Sequence, residues 1–176
     1  MPRLEYGLAQ LRLWDHALCI RCNRAMHIPL FRPTLRIASR LGDGIFWYAL
    51  MLALLAFHGA QAFLPVAHLA ATGAVCTALY KWLKSKTSRP RPYAVETAVR
   101  AGADPLDAFS FPSGHTLHAV AFSIVAVAYY PALAWLLVPF SILVAASRVV
   151  LGLHYPSDVL AGAGIGALIA QVSLWL

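Results

Sequence analysis

Charged side chains are few. Asp, Glu, Lys and Arg make up 12% of the 176 residues, where a soluble domain carries roughly 25%. Acidic residues are the scarcer kind, seven against 14 basic ones. A chain that is 60% hydrophobic cannot cover its surface with polar groups. This disfavours an ordinary soluble domain and puts the membrane class first. Cysteine is also sparse. Cys76 lies in an apolar run, and Cys19 and Cys22 form a lone C-x-x-C without a second ligand pair. Structural cysteines fit better than a zinc centre. The first 40 residues lack the clean apolar core of a cleavable signal peptide, and none is expected. The net charge of +7 would suit nucleic acid only on exposed basic faces. Here the charges crowd between apolar runs, which suits anionic lipid or phosphate and no nucleic acid.

Residues 4–26 read as an amphipathic helix, with Leu4, Leu8, Leu11, Trp14 and Leu18 at three- and four-residue spacing. Arg12, Asp15, Arg21 and Arg24 interrupt it, and each charge at the centre of a spanning helix costs about 2.5–3.5 kcal/mol. A helix lying in the membrane interface is therefore expected. Residues 29–44 read as a basic connector. Five apolar runs follow, at 45–63, 65–83, 115–130, 133–150 and 159–176. Backbone groups inside a bilayer must pair within their own segment, so these runs are helices. The expected fold class is all-α, a polytopic membrane helical bundle of about five transmembrane helices plus the N-terminal interfacial helix. Residues 1–44 form its peripheral part, and residues 45–176 its core with one long polar loop at 85–113. Gly162, Gly164 and Gly166 sit inside the last run, where close helix packing is a better reading than a phosphate loop.

Alternate crossings bring three junctions to one membrane face. The first holds Lys84, Arg91 and Pro92. The second reads Pro112, Ser113, Gly114, His115. The third holds Ser147, Arg148, His154 and Asp158. Lys84, Arg91 and Arg148 supply positive charge, and Arg offers a planar fork for phosphate oxygens. Ser113 can cap the helix that follows, so that its hydroxyl and the free N–H groups face an anion. His154 and Asp158 form a pair in which the carboxylate fixes the imidazole and leaves its other nitrogen free to attack. His115 can protonate a leaving oxygen. Taken singly, Lys84 reads as a basic anchor, His115 as an interfacial polar residue and His154 with Asp158 as a loop hydrogen bond. Their meeting on one face favours a site.

These three blocks, K-x6-R-P, P-S-G-H and S-R-x5-H-x3-D, resemble the signature of the type-2 phosphatidic acid phosphatase family, in the same order and between the same helices. The resemblance implies a phosphohistidine at His154, oriented by Asp158, with His115 as general acid. It implies a phosphate pocket of Lys84, Arg91, Ser113, Gly114 and Arg148, and neither metal nor other cofactor. The implied substrate is a membrane lipid phosphate. Polyprenyl diphosphate is the first choice; phosphatidylglycerophosphate and phosphatidic acid are the alternatives, and a phosphotransferase would share the intermediate. A soluble vanadium haloperoxidase has a similar site, but the apolar spans disfavour it. A bacterial inner membrane is expected. All 14 Lys and Arg fall on the active-site side, which argues for the cytoplasmic face, whereas the resemblance implies a periplasmic site in many bacterial members.

Overall fold

The computed structural model describes residues 2–176. Eight α-helices carry the chain: α1 (Pro2–Asn23), α2 (Phe31–Arg40), α3 (Phe46–His58), α4 (Phe63–Thr87), α5 (Pro92–Val95), α6 (Gly114–Tyr129), α7 (Ala134–Val150) and α8 (Pro156–Trp175). Among the described residues the only strand-like pairing is an isolated bridge between Pro90 and Phe109.

Helix α6 is the axis of the bundle. Its Leu117, Ala121, Phe122 and Val125 are buried against Trp47 and Leu54 of α3, Leu69 and Cys76 of α4, Leu137 and Val144 of α7 and Ala170 of α8. At 16 residues and about 1.5 Å per residue, α6 is shorter than the roughly 30 Å hydrocarbon core. Its neighbours surround it, so it does not need to match lipid on its own. The outer faces of those neighbours are apolar and exposed, at Phe57, Trp135, Leu160 and Leu168, as expected where the solvent is lipid. Three stretches, Phe31–Thr87, Pro131–Val150 and Pro156–Trp175, are long and apolar enough to cross a membrane. The first breaks at Gly59, whose φ of 56° a residue with a Cβ rarely adopts.

Helices α6 and α8 pack backbone against backbone. A Cβ at Gly162 would lie 2.6 Å from the Ser113 carbonyl oxygen, and one at Gly166 would overlap the Leu117 carbonyl. Gly164 faces open space, so two of the three glycines serve the close packing expected of them.

The N-terminal third departs from expectation in two ways. In α1, the apolar Leu11, Trp14 and Leu18 are exposed, whereas Asp15, Cys19 and Asn23 form the buried stripe. The side chains of Leu4 and Leu8 lie outside the described set. The docked face is polar because it meets a polar loop: Asn23 Nδ2 donates to the carbonyls of Arg100 (2.9 Å) and Val150 (3.0 Å), and its Oδ1 accepts from Arg100 N (3.0 Å). The supposed connector at 29–44 contains α2, which buries Leu35, Ala38 and Ser39 and runs through a widened turn at Leu41–Ile45 towards α3.

Candidate active site

His154 lies in the short loop between α7 and α8. Gly152 turns that loop with a φ of 69°, and a Cβ there would lie 2.7 Å from the Arg100 carbonyl. The amides of Leu153 and His154 both donate to the Arg148 carbonyl, at 3.1 and 3.0 Å. The loop is thereby folded back onto the end of α7, and His154 is 1% exposed. His154 Nδ1 lies 2.6 Å from the Ser110 carbonyl. A carbonyl only accepts, so Nδ1 carries the proton and Nε2 keeps its lone pair. Burial, then the charges of Arg148, Arg91 and Lys84, push the His154 imidazolium well below the ordinary histidine range, so the ring is neutral.

Asp158 does not make the hydrogen bond expected of it. Its carboxylate stands 3.8 Å from His154 Nδ1, within ion-pair reach but beyond a hydrogen bond, because Ser110 occupies that position. Asp158 instead accepts from the Tyr155 amide at 2.9 Å and from Arg89 Nη1 at 2.6 Å. Arg89 also donates to Asp15 at 2.7 Å and stacks on the Tyr155 ring, 4.0 Å from its centroid. The burial of Arg89 would lower its affinity for the proton, but Asp15 and Asp158 outweigh that and raise it.

The cations meet from three elements. Lys84, in the last turn of α4, donates to both oxygens of Asp107 at 2.7 and 2.6 Å and to the Phe109 carbonyl at 3.1 Å. Arg91 holds the same carboxylate through Nη2 at 2.8 Å and the Asp107 carbonyl through Nε at 2.9 Å. Its Nη1 lies 2.8 Å from the Leu153 carbonyl and 3.3 Å from His154 Nε2. Burial would raise the Asp107 carboxyl, but Lys84 and Arg91 outweigh it and hold it below the usual carboxylate range. Arg148 differs. Its Nη1 donates to Ser39, and its buried Nε has no partner among the described residues.

At the second junction, Ser113 is fully buried at the start of α6. Its hydroxyl bonds Thr116 Oγ1 at 3.0 Å and makes no hydrogen bond to the helix backbone, so the expected capping hydroxyl is engaged elsewhere. Its amide donates to the Asp158 carbonyl at 3.1 Å, which ties the second junction to the third. Gly114 lets the Tyr80 ring approach, and His115 Nε2 contacts Asp43 Oδ1 from the widened turn after α2.

A cavity of about 770 Å³ joins these groups. Lys84, Arg91, Gly114, His115 and His154 line it, with Asp43 and Asp107. Ser113, Arg148 and Asp158 are buried and do not line it. Away from the charges its walls are Trp47, Met51, Ala70, Gly73, Ala74 and Phe122. Among the described residues no group of three His, Cys, Asp or Glu is placed to hold a metal. Sequence reasoning missed Asp15, Ser39, Asp43, Arg89, Asp107 and the Ser110 carbonyl. One signal was available. Four of only seven acidic residues, Asp15, Asp43, Asp107 and Asp158, touch this site, and in so apolar a chain each carboxylate needs a partner.

The model of the PAP2 superfamily matches residues 64–176, more than half of the chain. The chain belongs to the PAP2 superfamily. Like the type-2 phosphatase family that the motifs resemble, this PAP2 chain is built of helices, with three stretches long and apolar enough to cross a membrane. Over 80 residues it is 39% identical to undecaprenyl-diphosphatase BcrC of Bacillus subtilis strain 168. That match covers 46% of this chain and 41% of the relative, less than half the length of either. The crystal structure of Aquifex aeolicus LpxE superposes with a TM-score of 0.80 at 28% identity, covering 91% of this chain and 94% of that one. A transmembrane PAP2-type phosphatidylglycerolphosphate phosphatase from Bacillus subtilis shares the fold, with a TM-score of 0.72 at 22% identity over 95% and 94% of the two chains. The residues before 64 lie outside the family match, yet α2 and its turn reach Arg148 and His115.

Proposed function

We propose that this PAP2 phosphatase hydrolyses a phosphate ester or anhydride of a membrane lipid through a phosphohistidine at His154. The observation that carries the reading is one cavity with two ends. One end holds a neutral imidazole with a free Nε2 beside Lys84 and Arg91, and the other is apolar. An amphiphile with a phosphate head matches both ends.

In the first step Nε2 attacks phosphorus, the bond to the leaving oxygen breaks, and His115 gives that oxygen a proton. In the second, water attacks phosphorus, His115 takes the water's proton, the Nε2–P bond breaks with its electron pair returning to Nε2, and phosphate leaves with His154 neutral again. Lys84 and Arg91, which line the cavity, stabilise the equatorial oxygens, and Arg148, buried behind its wall, adds positive charge from further off. The substrate oxygens take the place of the Asp107 carboxylate on Lys84 and Arg91.

A polyprenyl diphosphate is the first-choice substrate. The 39% match to an undecaprenyl-diphosphatase supports it, as does a cluster of three cations. Purified protein is expected to release phosphate from it in EDTA. His154→Ala is expected to lose activity by on the order of 10⁴-fold, and undiminished turnover would reject the nucleophile. Product mass spectrometry with lipid alcohols present separates hydrolysis from transfer. The charge bias favours a cytoplasmic active-site face. A cysteine placed at exposed Ala98 in a Cys22→Ser chain checks this, since labelling by an impermeant thiol reagent in intact cells reverses the assignment.

A further inference from the structure

Asp43 belongs to none of the three motif blocks and lies outside residues 64–176. It nonetheless meets His115, and both side chains are mostly covered, 19% and 9% exposed. We propose that Asp43 is the positioning residue of the general acid, holding the His115 imidazole by Nε2 and balancing its charge while it carries the proton. The proposal rests on the phosphatase reading above.

The local backbone is shaped around this one carboxylate. Gly42 is buried, and a Cβ there would lie 3.1 and 3.3 Å from the Val144 methyls and 3.6 Å from His115 Cδ2. A side chain at 42 would therefore press on Val144 of α7 and touch His115. Gly44 has a φ of 124°, open to glycine and costly for other residues. Between these two glycines the widened turn after α2 directs Asp43 at His115. Four residues earlier, on α2 itself, Ser39 contacts Arg148, so α2 and its turn together reach two junctions of the site.

A carboxylate beside His115 works against the positive charge around it. Arg148 and Lys84 both act on it as nearby cations. A general acid must carry its proton in their field, and a hydrogen-bonded carboxylate at its far nitrogen offsets them. With Nε2–H given to Asp43, Nδ1 is the ring atom left for the leaving oxygen. As the His154 Nε2–P bond forms and the leaving P–O bond breaks, the Nδ1 proton passes to that oxygen. The N–H electron pair stays on Nδ1, and the Asp43 contact to Nε2–H is kept.

A positioning role depends on the leaving group, and a merely structural one does not. The test compares kcat/KM, which reports the phosphorylation step, for the full-length wild type, Asp43→Asn and Asp43→Ser in detergent, on phosphatidic acid and on p-nitrophenyl phosphate. The first expels a poor alkoxide and needs an acid; the second expels a stabilised phenolate and needs little help. Asp43→Asn is expected to lose about 100-fold in kcat/KM on phosphatidic acid and less than about threefold on p-nitrophenyl phosphate, with Asp43→Ser as the second variant if Asn does not fold. In a His115→Ala background Asp43→Asn should cost nothing more on either substrate. Equal losses on both substrates, or a further loss without His115, overturn the proposal. A wild type that frees phosphate from neither substrate, nor from a polyprenyl diphosphate, overturns the phosphatase reading instead.

Discussion

The last two thirds of the chain carry all three motif blocks, and the first third carries none. The N-terminal third still reaches the motif-bearing segments from α1, α2 and the turn after α2: Asp15 to Arg89, Asn23 to the long loop, Ser39 to Arg148 and Asp43 to His115. On the reading above, the C-terminal part holds the groups that would meet phosphate, and the N-terminal part holds those groups in place. The difference separates chemistry from positioning within one site.

Substitutions at the seam between the two parts test that division. The largest effect is expected at Arg89, where Asp15 of one part and Asp158 of the other share a guanidinium. Arg89→Ala leaves two buried carboxylates unpaired and is expected to cost about 3–5 kcal/mol of stability, read as thermal unfolding in detergent. Adding Asp15→Asn should recover part of the loss, and no recovery would break the link between the parts. A smaller effect is expected where the C-terminal part regulates itself. Asp107→Asn removes the carboxylate that occupies Lys84 and Arg91, so orthovanadate should inhibit about tenfold more tightly, worth about 1.4 kcal/mol. Unchanged or weaker inhibition would show that Asp107 does not compete for that seat. The smallest effect lies in pH. The imidazolium of His154 is pushed down by burial and three cations, so the nucleophile stays neutral as pH falls past 6.5, the ordinary histidine value. The acid limb of kcat/KM should lie below that value. Arg91→Gln removes one cation and should move the limb upward; a limb that stays put would place its origin elsewhere.

The helices were legible because apolar runs of bilayer length admit few other solutions. The site was legible where spacing carries it: Lys84, Arg91, Gly114, His115 and His154 line one cavity. The positioning contacts were not legible, since Asp43 and His115 are 72 residues apart and Asp15 and Ser157 are 142 apart, beyond any periodicity. The Ser110 carbonyl was invisible for another reason: a backbone oxygen carries no residue identity, so no pattern announces that it displaces Asp158 from His154 Nδ1. Helix α1 misled because the rule that apolar faces turn inward presumes water outside. Where the surroundings are lipid and the neighbour is a polar loop, Asp15, Cys19 and Asn23 turn inward instead.

The contact of Gly162 and Gly166 with the backbone of α6 has a mechanical consequence. Helix α6 carries His115 in its first turn, just after Ser113, and α8 carries Asp158 in its first turn. Joined without intervening side chains, the two helix starts behave as one solid block with no compliant layer between them. A shift of either start is therefore expected to carry the other with it, so that His115 and Asp158 keep their mutual register.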